Sequence, residues 1–220
     1  MRSIDEKQFY NNVLSFHNQT KETDNHRYLS WEHCYEYFYI YRKDIDYDYA
    51  SLMLSFYLAS WGMYRGSSFL LRHDYKIYKT MLEELLVIDL WDKHDWSQII
   101  KANEIIERKL SPYKNNKEDK NNKNKISNTL ITKILLGIFG CTPAYDRFFT
   151  NGLRQYNSKN SNEISISYGE NSYKGIVDLI DRCKSNFEFP KIKLKFNEDI
   201  YYPDMKIMDM YFWILGQQKL

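Results

Sequence analysis

The sequence predicts an all-α or nearly all-α fold in a single domain over residues 1–220, and three observations carry that expectation. Apolar residues recur at three- and four-residue spacing through most of the chain. Only 8 glycines and 4 prolines punctuate 220 residues, too few for a turn-rich all-β design. A hydrophobic content of 43 %, with 20 Tyr and 12 Phe, supplies a core and excludes a disordered chain.

Taken in order, the first helix is expected to open at a capping box, Ser3 with Glu6, and to bury the stripe Phe9, Val13 and Phe16. Ser30 is placed to cap "WEHCYEYFYIYRK", in which Trp31, Cys34, Tyr35, Phe38 and Tyr41 share helical spacing. "YASLMLSFYLASW" is apolar nearly all round and reads as a central, buried helix that continues through "GMYRGSSFLLRHDY". A second capping box, Thr80 with Glu83, opens "MLEELLVIDLW", whose Met81, Leu85, Ile88 and Leu90 point to the core. "DWSQIIKANEIIERKL" follows as a helix that stops at Ser111-Pro112, because proline disfavours the helical region for the residue before it.

Residues 113–128 form a Lys/Asn-rich segment with little to bury, read as a flexible loop. "TLITKILLGIFG" is an apolar helix ending at Gly140, and Thr142-Pro143 is expected to cap and open the next. "EISISY" and "KIKLKF" alternate with period two, predicting a small two-stranded β element that flanks the helix "SYKGIVDLIDRC". The last helix, "YPDMKIMDMYFWILG", is apolar except at Asp204, Lys206 and Asp209 and should be buried. About seven to nine helices are expected in all.

Charge and cysteine usage narrow the function classes. Thirty-one Lys and Arg against 29 Asp and Glu leave +2, so nucleic acid could be engaged only through a local basic face. Cys34, Cys141 and Cys183 lie far apart without metal spacing, which suits free thiols in a reducing, cytoplasmic setting. No apolar run reaches the ~18–20 residues of a membrane span, and no membrane partner is expected. The five histidines fall in predicted polar faces or loops, and His94, between Asp92 and Asp95, lacks a second histidine. No metal and no cofactor is therefore expected.

The candidate site starts from "SWGMYRGSSFLL". On a continuous helix, Trp61, Arg65 and Ser68 would share one face beside Tyr64, while Gly62 and Gly66 would let a neighbour approach closely. Arg65 would be satisfied by a core carboxylate or by a bound anion held with Ser67 or Ser68. The candidate carboxylates are Asp146, on the first turn of its helix beside Arg147, and Asp209, isolated among Met208, Met210, Tyr211, Phe212 and Trp213. An internal polar cluster of Arg65, Asp146, Arg147 and Asp209 is the expectation.

"TKILLGIFGCTPAYDRFF" resembles the part of helix-hairpin-helix DNA glycosylases in which an apolar helix leads through a proline to an aspartate opening the next helix. The resemblance implies a catalytic role for Asp146, activating water or stabilising a sugar cation, and "KISNTLITK" stands where that family carries its Gly-rich hairpin. "LASWGMYRGSSFLL", "TPAYDRFF" and "MKIMDMYFWILG" are similar to uncharacterised bacterial helical proteins, which implies no activity. Two functions are thus expected: a binding or interaction protein with a structural Arg/Asp cluster, or a nucleic-acid enzyme of glycosylase-like helical fold using Asp146.

Overall fold

The computed structural model describes residues 4–91, 93–114, 125–160 and 163–218. The fold is all-α: among the described residues it comprises α1 (Glu6–Lys21), α2 (Leu29–Tyr41), α3 (Tyr47–Ser60), α4 (Lys79–Leu85), α5 (Trp96–Lys114), α6 (Asn128–Ile138), α7 (Arg147–Lys159), α8 (Glu170–Asn186) and α9 (Asp204–Leu215). Short 3-10 helices at Phe69–Arg72 and Tyr75–Tyr78 precede α4. The chain forms two compact units: Met1–His26 with Gly140–Leu220, called here the terminal unit, and Arg27–Phe139, the middle unit.

In the terminal unit α9 is the centre, packed on α7 and α1 and more lightly on α8. Every residue from Met205 to Leu215 is buried, as expected from its composition. The α1 stripe Phe9, Val13 and Phe16 is buried too. Gly152 lets α7 touch α9 backbone to backbone, since a Cβ there would lie 2.0 Å from the Phe212 carbonyl oxygen.

Three local expectations fail in this unit. The cap of α1 is Asp5, which accepts the Gln8 N–H at 2.7 Å, and Ser3 lies outside the described residues. Thr142-Pro143 opens no helix; α7 begins at Arg147, with Asp146 as its cap. The two-stranded element is reduced to one antiparallel bridge, Lys193 with Tyr201, formed by "KIKLKF" and the residues just after it. "EISISY" forms no strand in its described residues because Asn157 takes the backbone that a partner strand would use: its amide donates to the Ile164 carbonyl at 2.6 Å and accepts the Ile164 N–H at 3.1 Å.

In the middle unit α2 and α3 form a helical hairpin, and α3 also packs on α4 and α6. Ser30 lies inside α2 and turns its hydroxyl back to the Arg27 carbonyl, so it does not cap. Thr80 likewise lies inside α4; the capping falls to Asp74, which opens the 3-10 turn before it. α4 stops at Leu85, with Leu90 buried beyond the helix and Ile88 half-buried. α5 runs on through Pro112 to Lys114, so the proline does not end the helix where the sequence predicts.

The expected loop at 113–128 is trimmed at both ends. Tyr113 and Lys114 belong to α5, Ser127 caps α6 and Asn128 opens it, while residues 115–124 lie outside the described residues. Gly140, at φ +63°, ends α6 as the sequence predicts. α3 departs most from expectation: Ala50, Ser51, Leu54, Tyr57 and Leu58 are buried, but Tyr49, Leu52 and Phe56 are exposed.

Candidate functional site

"SWGMYRGSSFLL" is a helix end and two turns. α3 stops at Ser60, and Gly62 at φ +75° closes it: its N–H reaches the Ala59 carbonyl at 3.0 Å and the Met63 N–H reaches Leu58 at 2.9 Å. Gly66, at φ +58°, makes the next turn. Both glycines therefore serve left-handed backbone rather than the close approach of a partner. The continuous helix, and with it the shared face of Trp61, Arg65 and Ser68, is not formed.

Each residue of that predicted face has a local task. Trp61 stacks on Tyr28 with ring centroids 4.9 Å apart, and the Arg27 guanidinium lies over both rings. The last carbonyls of α3 are met by cations, Arg27 donating to Ser60 at 3.2 Å and the buried Lys133 ammonium to Trp61 at 2.8 Å. Tyr64 and Tyr78 share a hydroxyl hydrogen bond of 2.9 Å, and Ser68 caps the first 3-10 turn. Arg65 is exposed, its guanidinium folded back over Gly62. It is not a core arginine, which corrects the expected cluster.

Asp209 takes its charge partner from its own helix. Its Oδ2 accepts from Lys206 Nζ at 2.9 Å and its Oδ1 from the Ala144 N–H at 3.0 Å. Both side chains are buried, and the Lys206 ammonium also sits 4.7 Å from the Phe16 ring centroid. Burial pushes the Asp209 carboxyl above its ordinary value, against the pull of Lys206 and the Ala144 amide, with the charge of Asp146 adding to the rise. The signal for this pair was in the sequence: Lys206 stands three residues before Asp209, on the same helical face.

Asp146 is half-buried, and its Oδ1 accepts the N–H groups of Phe148 and Phe149 at 3.0 and 3.1 Å, the geometry of a helix cap. Arg147 is exposed over the neighbouring Phe148 ring, and the buried Trp213 meets Phe16 and Phe148 edge-on. No group of His, Cys, Asp and Glu able to hold a metal occurs among the described residues. The three thiols are buried, and burial pushes them up, to about 12 for Cys141 and about 11 for Cys183. His17 is buried in α1 rather than polar-facing, and burial, aided by Lys21, lowers it to about 4.

The terminal unit holds a cavity of about 450 Å³ between the start of α1 and the ends of α7 and α9. Its polar lining is largely committed: the Gln155 amide donates to the carbonyls of Leu215 and Gln218, and the Tyr156 hydroxyl to Glu163. The feature that sequence reasoning missed is on the middle unit. By their three- and four-residue spacing Tyr37, Ile40 and Tyr41 share one face of α2, and Tyr49, Leu52 and Phe56 share one face of α3. The rings of Tyr37, Tyr41 and Tyr49 are joined, Tyr37 lying 4.9 Å from Tyr41 and 5.0 Å from Tyr49.

Five of these six side chains are 42–51 % exposed. α3 has two apolar stripes, and its composition alone assigned both to the core; spacing of three and four residues from Tyr49 to Phe56 was the available signal. No helix among the described residues is long and apolar enough to cross a membrane. Comparison of the chain with models of protein families, with curated proteins and with solved structures finds no match.

Proposed function

We propose that the protein is a non-enzymatic interaction module that receives a helix of another protein on the outer side of its α2–α3 hairpin. The ridge Tyr37–Ile40–Tyr41–Tyr49–Leu52–Phe56 carries this reading. Exposed apolar surface clustered on neighbouring helices, joined here through the rings of Tyr37, Tyr41 and Tyr49, marks interaction sites. Tyrosine and phenylalanine supply contact area at small entropic cost, as in binding hot spots. The carboxylates best placed for chemistry support the same reading from the other side: Asp146 caps α7 and Asp209 is paired with Lys206.

The test is site-specific photo-crosslinking in the cell of origin, with a photoreactive residue at position 52 and, as a control, at Val87, which is 83 % exposed in the turn after α4. A single partner protein crosslinked from 52 and not from 87, whose purified form binds the wild-type chain but not Leu52→Gln/Phe56→Gln, is the expected result. Equal adducts from both positions, or purified binding that ignores the double substitution, overturns the reading.

A further inference from the structure

Resting on that interaction reading, we infer that the ridge selects a basic amphipathic helix: about two turns of apolar side chains flanked by Lys or Arg. Charge around the ridge carries the inference. From Leu29 to Ser60 the chain has Glu32, Glu36, Asp44, Asp46 and Asp48 against only Arg42 and Lys43, although the whole protein is +2. Glu32 is buried, which leaves four acidic groups in partial or full contact with water.

Placement sharpens the count. Glu36 stands one turn before Ile40 on α2, and Asp48 one turn before Leu52 on α3, so each flanks an apolar stripe. Asp44 and Asp46 sit in the connection that joins the two stripes at their Tyr37–Tyr41–Tyr49 end. Arg42 does not neutralise them from the ridge side: its guanidinium lies 4.6 Å over the Tyr39 ring and 5.9 Å from that of Trp91, and Tyr39 is two residues from both Tyr37 and Tyr41, on the opposite face of α2. Lys43, exposed in the same connection, offsets one of the four, and Asp48 Oδ2 accepts the Tyr75 hydroxyl at 3.1 Å, so the apolar strip keeps a net acidic border.

Length and charge together define the occupant. Tyr49 to Phe56 is eight residues, a rise of about 10 Å along the helix, which matches about two turns of a partner. An acidic border repels the anionic headgroups of a membrane surface and disfavours an isologous second copy, which would set border against border. It attracts Lys and Arg flanking an apolar stripe, raising association rate and selecting partner sign. Helix-in-groove recognition needs only anchors at i, i+3 or i+4 and i+7 on the incoming side.

The experiment uses the full chain and two fluorescent synthetic helices with the same Leu stripe, one flanked by Lys and one by Glu, read by anisotropy, with anionic vesicles as a third probe. The Lys helix is expected to bind at least about tenfold more tightly than the Glu helix at low salt, the gap closing as salt rises. Leu52→Gln/Phe56→Gln is expected to abolish binding, and Asp44→Asn/Asp48→Asn to narrow the gap while the apolar contribution persists. Equal binding of both helices, still lost in Leu52→Gln/Phe56→Gln, overturns the charge selection and leaves the ridge reading standing. Binding of neither helix, or binding indifferent to the ridge substitutions, overturns both. Stronger binding to the vesicles than to the Lys helix replaces the protein partner with a lipid surface.

Discussion

α9 and α3 are both apolar enough to be read as buried helices, and they meet opposite fates. α9 carries Lys206 and Asp209 in its middle and is buried from Met205 to Leu215. α3 has no charged residue after Asp48, yet it leaves Tyr49, Leu52 and Phe56 in water. Composition therefore ranks the two helices in the wrong order. What separates them is cover and pairing: α1 and α7 close over α9, whose two buried charges neutralise each other within one turn. α2, α4 and α6 pack on α3 without covering its outer stripe. An apolar helix surface is a demand for cover, and on α3 that demand is unmet among the described residues of the middle unit.

The sharpest way to break this contrast is to break the α9 pair. Lys206→Met strands the Asp209 carboxylate in the core and is expected to cost about 3–5 kcal/mol in urea denaturation. Adding Asp209→Asn removes the stranded charge while an amide oxygen remains to accept the Ala144 N–H, so the double variant should recover a large part of that loss. Losses that simply add would show that the two side chains act separately and that α9 tolerates charge for another reason.

Much of the fold was legible from residues whose neighbours in sequence settle their role. Phe9, Val13 and Phe16 needed only period 3.6, and Gly140 only its place after an apolar run. Capping was less legible, because Ser3, Ser30, Thr80 and Thr142 all satisfy a cap pattern that Asp5, Asp74 and Asp146 satisfy better or at the true boundary. The expected core pairing of Arg65 is not formed, first because Arg65 was given a helical phase that the turn at Gly62 cancels. Its supposed partner Asp209 had a nearer cation in Lys206. The ridge was illegible because sequence shows that α3 has two apolar stripes but not how many neighbours arrive to cover them.

A smaller effect extends the comparison to α1, where His17 is another polar group under cover. Its imidazole is held to about 4 by burial, with Lys21 adding, against about 6.5 in the unfolded chain. The folded state thus keeps the neutral ring while the unfolded state takes up a proton, so stability is intact above pH ~6.5 and falls as pH drops toward ~4, by about 3 kcal/mol for this group. His17→Gln should flatten that part of the stability–pH profile. An unchanged profile between pH 4 and 6.5 would place the acid sensitivity in other groups.

The smallest stability effect is expected where the sequence predicted one of the largest. Were α3 buried all round, Leu52→Gln/Phe56→Gln would put two amides into a core and unfold the middle unit, since each unsatisfied buried polar group costs about 1–3 kcal/mol. On the exposed stripe the amides stay hydrated, and little apolar packing is given up. The double substitution is therefore expected to leave the urea midpoint nearly unchanged, within about 0.5 kcal/mol, as for ordinary surface changes. Leu54→Gln, on the buried side of the same helix, should cost several times more. A large loss from the first pair would mean that the outer stripe is already covered in the isolated protein, and a ridge covered in that way could not wait for a partner.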